Sequence, residues 1–265
     1  MVIAITREVS PRFNECEITH IERTLIDLNV ARAQHHEYVN VLKKLGCEVI
    51  ELPSEVDLPD SIFVEDTAFI LPEVAVLTRP GADSRRPETE SIIPALSRYI
   101  NLVHVRAPAT IDGGDVLVLE KKIYVGLSTR TNHEAIHQLN ELLCEYSYTV
   151  TGVELHDCLH LKSAVTRVDD KTLLTNKNWV DSSHFENIDL IEVDSSEPFA
   201  SNCLPIGKSI IFPTAFPKTR AKLEERGYEV VTVDVSELAK AEGAVTCCSL
   251  IIQEESLKVL KTFRL

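Results

Sequence analysis

The sequence predicts an α/β fold in which five ββαβ modules close into a ring of the propeller kind, and three observations carry that expectation. A unit of short strand, turn and second short strand recurs along the 265 residues. Each first strand contains a polar or reactive side chain near its start, Glu65, Asp112, His160, Asn202 and Cys247 in turn, at separations of 47, 48, 42 and 45 residues. Helical segments fall between the strand pairs. Recurrence with a period of about 20–50 residues marks architectures in which each unit covers its apolar face only against its neighbours.

The modules can be taken in order. Residues 63–70 form a first strand and residues 74–78 its partner. The second module pairs 111–119 with 123–128 across a Lys-Lys turn, and the third pairs 159–168 with 172–175 across Asp-Asp-Lys. The fourth pairs 200–206 with 209–213 across Gly-Lys, and residues 243–252 close the series. Among the helical segments, residues 28–45 set Val30, Tyr38, Val41, Leu42 and Leu45 as apolar positions, and Gly46 ends the run as a helix C-terminal glycine does. Residues 133–146 put Ile136, Leu139, Leu142 and Leu143 on one side behind Asn132 as N-cap. Residues 218–226 stop at Gly227 and lead into a strand at Tyr228, and the same helix–glycine–strand order occurs at 45–52. In a ring, strand beginnings of equal phase point to one central place, so Asp112, His160 and Cys247 are expected to meet.

Composition narrows the function. Apolar residues make up 44% of the chain, an ordinary globular value. No apolar run approaches the roughly 18 residues of a membrane span, and the N-terminal residues lack the layout of a signal peptide, so a cytosolic protein is expected. The net charge of −14 argues against nucleic acid and is compatible with a cationic substrate, as it is with simple solubility. Seven cysteines at irregular spacing, without a C-x-x-C pair, suggest neither a disulfide framework nor structural zinc. Most of them are expected as buried thiols.

Phase in the repeat singles out the candidates. A thiol nucleophile needs a proton shuttle and a group to orient it. Cys247 and His160 share a phase, and Asp112 occupies a third module. Cys248, alternating to the other face of the same strand, is assigned to the core. His35, His36, His133 and His137 are read as solvated helix positions. Asp112-Gly-Gly can equally be a plain tight turn. Asp60, Glu65 and Asp66 put three carboxylates into seven residues of largely apolar sequence. Buried carboxylates need partners, either the donors of a guanidinium ligand or the protein's own arginines. Arg79, Arg85, Arg86 and Arg130 follow second strands and could clamp a carboxylate.

Read together, residues 59–67, 79–86, 112–117 and 126–132, with Leu159-His-Leu-Lys-Ser and Thr246-Cys-Cys-Ser, resemble the dimethylarginine dimethylaminohydrolases. The resemblance implies one catalytic domain over residues 1–265, a five-bladed α/β propeller of pseudo-fivefold symmetry. It implies hydrolysis of Nω,Nω-dimethylarginine or Nω-monomethylarginine to citrulline and dimethylamine or methylamine through a covalent S-alkylthiouronium, with no cofactor. It makes Cys247 the nucleophile, His160 the acid/base and Asp112 its orienting group. Asp60, Glu65 and Asp66 would hold the guanidinium and α-amino ends, Asp66 the former, while Arg85 and Arg130 take the carboxylate. Ile18, Ser163 and Ala241 are expected to touch substrate, Ile18 from a lid over residues 10–20 that here lacks the glycine often found in the family. Zinc is not required but could inhibit at Cys247 and His160. The protein would be a monomer or homodimer. Rival readings are an arginine deiminase or amidinotransferase-like activity on the same fold, and a non-catalytic zinc- or nitrosothiol-sensing protein.

Overall fold

In the computed structural model, which describes residues 1–257, the chain forms five three-stranded sheets. Each sheet runs antiparallel between its first two strands and parallel between its second and third, so the connection between the last two must cross over. From the N-terminus, β1 (Val2–Arg7), helix α1 (Leu28–Lys44) and β2 (Cys47–Leu52) make two-thirds of one blade. The next is β3 (Ala68–Ile70), β4 (Ala75–Leu77), α2 (Arg86–Leu96) and β5 (Leu102–His104). Then come β6 (Val116–Leu119), β7 (Lys122–Leu127), α3 (His133–Leu143) and β8 (Thr149–Glu154). The single helical turn α4 (Leu161–Ala164) leads to β9 (Val165–Arg167), β10 (Thr172–Thr175) and β11 (Asp189–Glu192). The set after it is β12 (Leu204–Ile206), β13 (Ser209–Pro213), α5 (Pro217–Glu225) and β14 (Glu229–Val233). After α6 (Ser236–Ala239), β15 (Leu250–Ile252) pairs antiparallel with β1, Ile3 facing Ile252 and Ile5 facing Leu250. The C-terminal end of the described chain thus completes the N-terminal blade, and the ring closes. Residues 258–265 of the expected domain lie outside the described residues.

Two departures from the sequence reading matter. The expected ββαβ module is complete in four blades, but the third blade crosses from β10 to β11 through a short 3-10 turn at Ser182–His184 in place of an α-helix. The expected long first strands are also split. Val64–Thr67, Gly113–Asp115 and Leu161–Ala164 coil into one helical turn before each strand begins. These turns lift Glu65, Asp112 and His160 off the sheet at one end of the ring.

The helices follow local rules. Asp27 caps α1 by accepting from the amides of Asn29 (2.9 Å) and Val30 (3.2 Å), and Gly46 takes φ +89° where the chain reverses into β2. Asn132 caps α3 through the Ala135 amide, as expected. Val30, assigned to the apolar face, is 42% exposed, whereas Ala31, Tyr38, Val41 and Leu42 are buried. His35, read as solvated, is buried at 3% exposure, and burial first, then nearby His36, drives its pKa down to about 4. The 100°-per-residue drift of a helix carries His35 round to the face that Tyr38 and Leu42 bury.

Candidate active site

Cys247 lies in a turn just before β15, not in the strand itself. Its carbonyl accepts the Glu65 amide (3.1 Å), and its half-buried sulfur accepts the Ala244 amide at 3.4 Å. Cys248 is fully buried among the residues packed on α1, as expected, but turn geometry rather than strand alternation points it there. Burial, then the charges of Glu65 and Asp66, push the Cys247 thiol up to about 12. It is therefore protonated in the empty site at neutral pH.

His160 precedes α4 and is 6% exposed. Its Nε2 lies 3.1 Å from Asp112 Oδ2, and Asp112 Oδ1 accepts the Gly81 amide at 2.9 Å. Burial alone would lower the imidazole pKa. Asp66, Asp115 and Asp112 together outweigh it and raise the value to about 9, so His160 is an imidazolium at neutral pH. The glycines after Asp112 make this possible. A Cβ on Gly114 would stand 2.6 Å from His160 Nδ1, so no other residue lets the turn approach the ring this closely.

Asp115 is a participant the sequence reading passed over. Fully buried, it accepts from the hydroxyls of Ser128 and Thr131 (2.6 Å each) and from the Leu161 amide (2.9 Å). That last bond pins the residue after His160. Burial pushes the Asp115 carboxyl up to about 6 against the pull of His160 and the two hydroxyls. A sequence signal existed, since Asp115 ends the Asp-Gly-Gly-Asp run.

The acid cluster divides. Asp66 is held by Arg85 Nη1 (2.6 Å) and the Gly114 amide (3.0 Å); burial would raise its pKa, but Arg85 and His160 bring it down to about 2. Asp60 accepts the Glu17 amide, and burial pushes its pKa up. Glu65 is bound by Lys162 Nζ (2.6 Å) and the Thr246 hydroxyl (2.7 Å). Asn202 joins them by donating to Thr246 Oγ1 (3.0 Å) and the Lys162 carbonyl (3.1 Å). Lys162 and Thr246, which the sequence reading left without roles, thus tie the first and fourth in-phase positions, Glu65 and Asn202, together. Each sits beside a residue already singled out, so adjacency was the available signal.

Arg85, expected to bind a substrate carboxylate, lines the cleft and already has partners within the protein. Besides Asp66, it donates to Glu88 Oε2 (2.8 Å) and to the Phe63 carbonyl (3.3 Å). A guanidinium at 4% exposure must be neutralised from within, and Asp66 and Glu88 do so. The protein's own arginine therefore satisfies part of the acid cluster. Arg130 is less committed, with one bond to the Thr19 hydroxyl (3.0 Å) and Nη1 3.9 Å from Asp112.

Two cavities meet at the nucleophile. A small cleft is lined by Asp60, Asp66, Arg85, Arg130, Ala241 and Glu242 together with His160 and Cys247. A chamber of about 310 Å³ shares His160 and Cys247 with the cleft and takes in Glu65, Gly114, Lys162 and Ser163. Ile18 lines neither; it packs on the core around α1, and His20 and Ile21 reach the chamber instead. Besides the possible inhibitory pair of Cys247 and His160, a second group of candidate metal ligands shares His160. The ligand atoms of Asp66, Asp112 and His160 lie within 4.8 Å of one another. Two of these three are hard oxygen donors already hydrogen-bonded, an arrangement less suited to zinc than a sulfur–imidazole pair.

A family model described as N,N dimethylarginine dimethylhydrolase, eukaryotic, matches residues 14–253. The chain belongs to this dimethylarginine dimethylaminohydrolase family. It is 38% identical over 253 residues to the N(G),N(G)-dimethylarginine dimethylaminohydrolase of Streptomyces coelicolor, covering 95% of this chain and 97% of that one. With the Pseudomonas aeruginosa protein of the same name it shares 34% identity over 226 residues, 84% of this chain and 89% of the other. A solved structure of a mutant of the latter complexed with citrulline matches at TM-score 0.90 and 32% identity, over 94% of this chain and 98% of that chain. The five-bladed α/β ring is accordingly the family fold. The N-terminal domain of a cyanobacterial arginine dihydrolase has the same fold at TM-score 0.80 and 18% identity, covering 96% and 98% of the two chains. Among the described residues no helix is long and apolar enough to cross a membrane.

Proposed function

We propose that the protein hydrolyses Nω-methylated arginine to citrulline and a methylamine, with Cys247 as nucleophile. One observation carries the reading: in a chain of this family, a half-buried thiol and a buried imidazolium border a cleft of carboxylates and an available arginine. Arg130 is assigned to the substrate carboxylate, and Asp60 to the α-amino group. Asp66 faces the guanidinium, and Arg85 acts chiefly as its internal counter-ion.

The chemistry follows from the protonation states. The cationic substrate offsets Glu65 and Asp66, the charges that hold the thiol up, and Cys247 releases its proton to solvent. The thiolate attacks the guanidinium carbon. His160 then donates its proton to the departing amine as the C–N bond breaks, leaving an S-alkylthiouronium. The now neutral His160 deprotonates a water that attacks the same carbon. As the C–S bond breaks, the adduct's hydroxyl proton passes to the departing sulfur, giving citrulline and restoring the Cys247 thiol. Asp112 and Asp115 favour the charged imidazole before each proton donation, and Asp112 keeps the ring oriented.

All the groups named come from one chain, so the reading holds for a monomer or a homodimer. Seven free cysteines fit the reducing conditions of a cytoplasmic protein. The test is incubation with dimethylarginine and, separately, unmethylated arginine, with colorimetric detection of citrulline. Citrulline from the methylated compound and little from arginine is expected. The reverse preference would favour a deiminase, and tight metal binding with no turnover of either would favour a sensing protein.

A further inference from the structure

The two cavities that meet at Cys247 differ in chemistry. The cleft is charged and small. The chamber is large, and much of its wall is apolar: Trp179, Phe199, Phe216, Pro213 and Leu159 contribute to it. Trp179 and Phe199 stack edge to face with centroids 5.1 Å apart, and Phe199 stays 58% exposed, an aromatic that the core does not use. His160 and Cys247 belong to both cavities. A substrate whose α-amino and carboxylate groups sit among Asp60 and Arg130, with its guanidinium carbon at Cys247, points its terminal substituted nitrogen into the chamber. That is also the nitrogen to which His160 must pass its proton.

Size then becomes informative. A cavity of about 310 Å³ falls at the lower end of the range that encloses a whole small-molecule ligand. A nitrogen bearing two methyl groups fills only a small part of it. We propose that the chamber is a leaving-group subsite for apolar Nω-substituents larger than methyl, and that the enzyme hydrolyses Nω-alkyl- and Nω-arylalkyl-arginines. The inference rests on the hydrolase reading above and extends its substrate class. The bonds balance as before: C–S forms as the C–N bond to the substituent's nitrogen breaks, His160 protonates that nitrogen, and water supplies the citrulline oxygen. Benzylarginine would yield citrulline and benzylamine in equal amounts.

The experiment measures citrulline and amine release from Nω,Nω-dimethylarginine, Nω-propylarginine and Nω-benzylarginine. Values of kcat/KM for the two larger compounds within about tenfold of the dimethylated one are expected. Ala239 is exposed, lies at the end of α6, and lines the chamber but not the cleft. Ala239→Trp fills the chamber from an exposed position. It should lower kcat/KM for benzylarginine about tenfold or more while changing that for dimethylarginine less than about twofold, with the melting temperature preserved. Turnover of dimethylarginine with neither hydrolysis of nor competitive inhibition by the larger compounds overturns the inference and leaves the hydrolase reading standing. Benzylarginine turnover untouched in a folded Ala239→Trp enzyme also overturns it. Failure to hydrolyse dimethylarginine at all overturns the reading beneath it. The substrate series in the unaltered enzyme decides the matter even where the variant does not fold.

Discussion

At the scale of single residues, the resting site holds one proton more than a preformed thiolate–imidazolium pair, and holds it on sulfur. Cys247 is a thiol pushed up to about 12, and His160 is already charged. Inactivation of free enzyme by a neutral alkylating agent such as iodoacetamide should therefore climb with pH well past 7; a fast plateau already reached at pH 6 would contradict the raised thiol. Cys247→Ser should lower citrulline formation by more than about a thousandfold with the fold intact, whereas Cys248→Ser should cost far less. Asp115 supplies a sharper test, because it acts on substrate only through His160. Asp115→Asn removes one of the anions that raise the imidazole pKa, so the alkaline limb of the kcat profile, where His160 loses its proton, should move to lower pH. An unshifted limb would leave Asp115 with packing alone. The same shift bears on stability. The folded pKa of His160 lies above its ordinary value, so the charge contributes stability that is complete below about pH 6.5 and lost as the pH rises through about 9. Unfolding free energy, compared between the native protein and His160→Gln, should converge over that window.

At the scale of elements, the segment after a 3-10 turn at Phe13–Glu15 is strapped across the charged cleft. The carboxylate of Glu242 accepts two consecutive amides, those of Thr19 (2.7 Å) and His20 (2.8 Å), while Asp60 accepts the Glu17 amide. Arg130 completes the strap through the Thr19 hydroxyl. Glu242→Ala should free the strap and raise KM about tenfold with kcat little changed; hydrogen exchange at the Thr19 and His20 amides reads the loosening directly. Elements also mark where the sequence was legible. The in-phase residues 65, 112, 160, 202 and 247 were readable because a repeat repeats its polar exceptions along with its apolar pattern. The one-turn helices were not, since three or four residues carry too little periodicity to separate a coil turn from a strand start. His35 was misread because its polarity hides a place on the buried stripe of α1. The internal pairing of Arg85 with Asp66 was not legible because sequence cannot say whether a carboxylate takes its cation from a ligand or from an arginine nineteen residues on. Lys162 and Thr246 escaped because their partner, Glu65, is brought to them only by closure of the ring.

At the scale of the whole molecule, that closure depends on three residues. β15 spans only Leu250–Ile252, yet its pairing with β1 joins the last described strand to the first. Cys247 precedes it by three positions, so the nucleophile is placed by the contact that shuts the ring. Ile3, which faces Ile252 in that pairing, is fully buried in the cluster it shares with Ile5, Val64, Leu77 and Leu250. Truncating it removes packing on both sides of the seam, and Ile3→Ala should cost about 2–5 kcal/mol. If residues 1–257 fold as one domain, that loss belongs to every blade. Urea unfolding followed by tryptophan fluorescence and by far-ultraviolet circular dichroism should then give one coincident transition, moved to lower denaturant with its slope unchanged. Trp179 lies in the third blade's core cluster, far in sequence from the seam, which makes its fluorescence a fair witness. A transition at Trp179 that stays in place while the circular dichroism signal shifts would mean that the blades unfold separately, and the single-domain reading would fall. Citrulline formation should follow the global transition, because an open seam leaves Cys247 without the Glu65 amide that its carbonyl holds.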